Sequence, residues 1–194
     1  MANLNAPRGF EPVRHSDGSP YTGQCNRYYK DATAGIIGVG DPVIRVVSSS
    51  DPEGGPEIVR ATTGAAITGV VVGIEPVRGN LSQVGYLAAA DVGYVLVADE
   101  PNLIFEVQEG GSGTALAITD IGKHIDSVAA LNANTTIGRS KYEIDNNAKA
   151  TDNTWMIVGL SPKADNAVGT YAKWLVKPNL HTEVNASATT VTEI

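Results

Sequence analysis

Apolar and polar residues alternate along this chain in short stretches, and Gly, Pro, Asn and Asp cut the stretches apart. In Leu103-Ile104-Phe105-Glu106-Val107-Gln108, Phe105 and Val107 alternate with Glu106 and Gln108, the period of a half-buried strand. The turn formers Asp99-Glu100-Pro101-Asn102 bound it. Ile67–Ile74 is nearly all apolar and β-branched, and Gly69 and Gly73 mark bulges or close backbone approaches. The same signals predict strands at Val43–Val47, Glu57–Thr62, Gln83–Leu87, Val92–Val97, Lys141–Ile144, Trp155–Leu160 and Tyr171–Val176. Gln24–Lys30 is polar and aromatic, which suits an edge strand. Lys173 and Lys177 fence Trp174-Leu175-Val176, a pattern that suppresses edge pairing.

One helix is expected. Thr119 or Asp120 caps it, and Ile121, Ile125 and Val128 fall on one face, although Gly122 weakens it. Residues 1–23 read as an extended arm, because Pro7, Pro12 and Pro20 bias the backbone away from helix. Yet this segment keeps Leu4, Phe10, Val13 and Tyr21. Ordering it costs ~1–2 kcal/mol per residue, and burial of these side chains against a partner, or against the arm's own domain, offsets that cost. Leu4, Phe10, Val13, Arg14 and Tyr21 are therefore the candidate partner-binding residues, with Phe10 and Tyr21 the leading intermolecular contacts. The expected fold is all-β: a single barrel or sandwich of short antiparallel strands over 24–180, with at most one or two short helices. A tail follows at 181–194, rich in Ser, Thr, Ala and Val.

Composition supports this picture. Of 194 residues, 42% are hydrophobic but only 6% aromatic, so Val, Ile, Leu and Ala build the core, and the 21 Gly and 10 Pro favour strands and turns. The net charge of −7 argues against nucleic-acid binding, which takes a basic stripe. Charge is unevenly placed: residues 1–30 hold four cations and two acids, while residues 31–110 hold three cations and eleven acids. The single Cys25 permits no internal disulfide. No apolar run has the length of a membrane span, and the first residues lack the layout of a signal peptide.

Local catalytic signatures are missing. His15, His124 and His181 are far apart in sequence, so no local zinc spacing exists, and no metal or cofactor is expected. Gly35-Ile-Ile-Gly38-Val-Gly40 has the wrong order for a dinucleotide fingerprint, and no lysine follows Gly110-Gly111-Ser112-Gly113 as a phosphate loop needs. Asp99-Glu100 reads as a solvated loop rim. Trp155 and Trp174 read as core residues ahead of interface anchors. The chain is read as a non-enzyme.

Several blocks carry a resemblance. Asn5-Ala-Pro-Arg-Gly-Phe-Glu-Pro-Val-Arg-His15, Tyr28-Tyr29, Gly69-Val-Val-Val-Gly-Ile-Glu-Pro76, Tyr94-Val-Leu-Val-Ala-Asp-Glu-Pro101 and Trp174-Leu-Val-Lys-Pro-Asn179 resemble small proteins encoded near the major capsid protein of tailed bacteriophages. Where that family has a role, it is head decoration or cement. The resemblance implies a virion protein, made in the bacterial cytoplasm, that covers the outer capsid surface and binds the major capsid protein. It also implies a homotrimer or, alternatively, a homodimer. Deleting residues 1–23 is then expected to abolish capsid binding and leave the body folded. The alternatives are a head-fibre base or tail component, or a carbohydrate-binding module on a β scaffold.

Overall fold

The computed structural model describes residues 3–76, 85–128, 132–148 and 153–184. The architecture is all-β, as the alternation predicts. The strands are β1 (Glu11–His15), β2 (Asn26–Lys30), β3 (Ile37–Gly38), β4 (Pro42–Ser50), β5 (Pro56–Arg60), β6 (Gly69–Ile74), β7 (Tyr86–Leu87), β8 (Gly93–Ala98), β9 (Leu103–Gln108), β10 (His124–Ile125), β11 (Ser127–Val128), β12 (Glu143–Ile144), β13 (Trp155–Leu160) and β14 (Lys173–Pro178). Five of them close a barrel in the order β2-β5-β4-β6-β8, and five more form an antiparallel sheet in the order β1-β9-β14-β13-β10. The barrel contains one parallel pair, β2 with β5.

Strand alternation gives the barrel wall two jobs. In β6, Val71 points into the barrel and packs with Val43, Ile58, Val95 and Val97. Its neighbours Val70 and Val72 point outward and pack with Ile67, Phe105, Trp155 and Trp174 of the larger core. Successive side chains of a strand face opposite sides, so one β-branched run serves both cores. Gly69 makes this packing possible: a Cβ there would run into the Ala98 carbonyl and the Val97 side chain. The pairing of β6 with β8 shifts between Val71 and Gly73, which is the bulge expected at the second glycine.

The expected helix is absent. Ile118–Asp120 makes a single 3-10 turn, closed by the Ala117 N–H donating to Asp120 Oδ2 at 2.9 Å. The chain then extends. Gly122 N donates to the Ile157 carbonyl and Ile157 N to the Lys123 carbonyl, so residues 122–125 add an edge strand to β13. Pairing satisfies the open edge of β13, which a helix over the same residues would leave bare.

Three strand environments differ from expectation for the same reason, long-range pairing. β2 is no edge, since it pairs with β5 on one side and β8 on the other. β14 lies inside the sheet, between β9 and β13, with its lysines at the strand ends. β9 is buried along its whole length instead of half-buried. One face of β9 meets the core; the other is covered by Ser161, Lys163 and the N-terminal residues, which take up Glu106 and Gln108.

Both tryptophans lie in the core, fully buried. The Trp174 indole N–H donates to Glu109 Oε2 at 3.0 Å, and the Leu116 N–H donates to the same oxygen at 3.1 Å. Burial pushes the Glu109 carboxyl above the usual range, against the pull of these two donors. Asp41 is also fully buried and is pushed up to about 6 by burial, although Gly38 N–H donates to its Oδ2 at 2.9 Å. Lys30 is sealed inside too, with Nζ donating to the carbonyls of Asp31, Ala89 and Asp91.

Past Pro178 the chain stays on the body as far as it is described. Ile67 N donates to the Leu180 carbonyl, Thr182 N donates to the Ile67 carbonyl, and His181 is buried. The rest of the expected tail, 185–194, and the start of the expected Gln83–Leu87 strand lie outside the described residues.

Candidate interaction surface

The N-terminal segment is part of the fold. Pairing of β1 with β9 gives the five-stranded sheet one of its two edges. Just before it, Gly9 sits at φ 74° and packs so closely on the Gly40 carbonyl and Ser140 that no larger residue fits. That turn drives Phe10 inward. Its N–H donates to the Gly40 carbonyl at 2.9 Å, and its ring stacks on Trp155 with centroids 4.1 Å apart. Phe10 is 1% exposed. It was expected to contact another molecule; instead it fills the protein's own core, because an aromatic ring gains more from full burial than from partial cover.

The other four candidates stay nearer the surface. Leu4 is 78% exposed and Val13 is 43% exposed. The β1–β9 register shifts between Pro12 and Arg14, so Val13 is the extra residue of a bulge and turns toward solvent. Arg14 is half-buried and bridges to Pro20 on the returning chain. Tyr21 is half-buried, packs against the larger core, and donates from its hydroxyl to the Gln24 carbonyl at 3.0 Å. The intervening turn is fixed by Asp17, whose Oδ1 accepts from the N–H and hydroxyl of Ser19. These bonds, the backbone one foremost, hold the Asp17 carboxyl below its ordinary range. Tyr21 N donates to the Val13 carbonyl, which brings Val13, Arg14 and Tyr21 together at the outer side of β1.

Leu4 lies apart from them, and Asn3 fixes its place. The Asn3 amide donates to the carbonyls of Ala167, Gly169 and Thr170 at 2.9, 3.3 and 3.0 Å, and Asn3 Oδ1 accepts from Ala167 N. Exposed Leu4 thus follows a residue bound to both neighbours of Val168, itself 46% exposed. The next residues are clamped as well, since Ala6 N donates to Gln108 Oε1 and Gln108 Nε2 donates to Asn5 Oδ1. Asn3, Gln108 and the lysines at 163 and 173 were not singled out by sequence reasoning as functional. Asn3 carries no local signal, because its partners lie more than 160 positions away.

Between the clamped segment and the sheet runs a small cleft lined by Arg8, Glu11, Glu106, Gln108, Lys163 and Lys173, among others. Elsewhere on the surface, the Arg27 guanidinium lies over the Tyr94 ring at 3.3 Å and pairs with Glu75 at 2.9 Å. That face of Tyr94 is thereby occupied, which removes it as a flat platform for a sugar. Among the described residues, no three His, Cys, Asp or Glu side chains are grouped to hold a metal ion. No described helix is long and apolar enough to cross a membrane. No family model matches this chain, and no curated protein or solved structure matches it either.

Proposed function

We propose that this protein is a structural virion component of a tailed phage, a decoration or cement protein that binds the outer surface of the major capsid protein shell. One observation carries the reading beyond the sequence resemblance. Leu4 and Val13 are large, exposed apolar residues on a segment that its own body already holds rigid, through Asn3, the Gln108 amide and Phe10. A pre-ordered segment loses little freedom on binding, so modest apolar contacts yield useful affinity. Repetition of such contacts over a shell raises that affinity further. Val13, Arg14 and Tyr21 would form one contact area and Leu4 with Val168 another. The reading needs no chemistry from this chain, which is taken as a binding protein and not an enzyme.

Because β1 and Phe10 belong to the fold, deleting residues 1–23 would unfold the sheet and could not isolate binding. Surface substitutions do. Leu4→Asp and Val13→Asp, combined, are expected to keep the thermal transition of the parent and to lose co-sedimentation with shells assembled from the major capsid protein of the same genome. If the unsubstituted protein fails to co-sediment with those shells, the cement reading falls. If labelling finds it only on tails, the tail-component alternative replaces it.

A further inference from the structure

The cleft beneath the N-terminal segment is lined by three cations and two acids, a net charge of +1 in a protein of net charge −7. Its two acids each face a cation, Glu106 closely and Glu11 loosely. Glu106, mostly buried, accepts from Lys163 Nζ at 2.6 Å and from the Ser161 hydroxyl. Glu11 faces Arg139 at 3.7 Å. The Gln108 amide is consumed by Ala6, Asn5 and Glu143. Two cations that line the cleft, Arg8 and Lys173, have no ion-paired or hydrogen-bonded side-chain partner among the described residues. Sequence places them 165 positions apart, and the pairing of Lys173 with Gln108 brings them to one opening.

We propose that this cleft is a carboxylate-binding site in which the Arg8 guanidinium and the Lys173 ammonium hold one anionic group. The planar guanidinium presents parallel N–H donors that match two carboxylate oxygens, and the ammonium adds a point charge from the side. The floor is formed by buried Glu106 and Gln108, whose hydrogen-bonding capacity is taken up internally, so the cleft's free donors belong to its cations, Arg8 and Lys173 foremost, since Lys163 is already bound to Glu106. The cleft, with a volume of about 40 Å³, has room for a carboxylate group. The carboxylate comes either from an acidic side chain of a partner polypeptide or from a free organic acid. The inference stands independently of the virion reading, since it concerns the isolated chain.

The test is a titration of the full-length ¹⁵N-labelled protein at constant ionic strength with sodium glutarate, with hexaglutamate peptide and with inorganic phosphate. Glutarate is expected to shift the amides of residues 6, 8–11, 107–108 and 173 saturably. Arg8→Ala and Lys173→Ala should each weaken binding roughly tenfold, the loss of one charge-assisted contact. Lys177→Ala, on the same strand but outside the cleft, should leave it unchanged. Tighter saturation by hexaglutamate assigns the site to acidic polypeptide segments, and equal saturation assigns it to free acids. Lys173→Gln, which keeps the aliphatic stem, replaces Lys173→Ala if the latter unfolds. Shifts that do not saturate, shifts that persist in the double variant, or tighter saturation by phosphate than by glutarate would overturn the proposal.

Discussion

Replacing Phe10 with Ala tests whether the first strand belongs to the core. The ring is 1% exposed, stacks on Trp155 at 4.1 Å, and shares that indole with Phe105, which meets it edge-on at 5.7 Å. Truncation removes the buried ring and leaves a cavity between β1 and Trp155, a change that costs ~3–5 kcal/mol in comparable cores. Total stability of a domain is about 5–15 kcal/mol, so the loss is a large share. For a chain of this length each kcal/mol moves the midpoint by roughly 2–4 °C, which gives a drop of about 6–20 °C. Urea unfolding followed by tryptophan fluorescence reads the change directly, because Trp155 lies against the substituted ring. Leu4→Ala is the control and should stay within about 0.5 kcal/mol, as exposed substitutions do. A Phe10→Ala loss below about 1 kcal/mol would refute the reasoning and restore a detachable arm.

Two further predictions concern buried acids. The unfolded chain releases the Asp41 proton near 3.8, whereas the native state holds it to about 6, so the native state binds more protons in between. Stability therefore falls as pH rises from about 4 to about 6 and is flat above, a loss of about 3 kcal/mol from this group. Asp41→Asn should reduce that slope in urea midpoints measured across the window, and parallel curves for the two proteins would contradict the assignment. Trp174→Phe removes the indole donor to Glu109 while keeping an aromatic ring. It should cost about 1–3 kcal/mol at neutral pH and less in acid, where the carboxyl is protonated; thermal melts at both pH values check this.

The alternation of side chains was enough to locate most strands and the fold class. Trp155–Leu160 appears with the expected bounds, Leu103–Gln108 and Gly69–Ile74 almost so, and both tryptophans are core residues. These features depend on local period and turn chemistry, which neighbouring residues carry. What tertiary structure decided is which strand lies beside which. Closure of the barrel through the parallel β2–β5 pair, the central place of β14 and the strand formed by His124–Ile125 all follow from partners distant in sequence. The i, i+4 spacing of Ile121 and Ile125 fits a helix, but an open β13 edge offers backbone hydrogen bonds that no local pattern announces. Phe10 was misplaced for the same reason: nothing in Pro-Arg-Gly-Phe says that Trp155 waits across the sheet. The cleft cations Arg8 and Lys173 become neighbours only when β1, β9 and β14 are laid side by side.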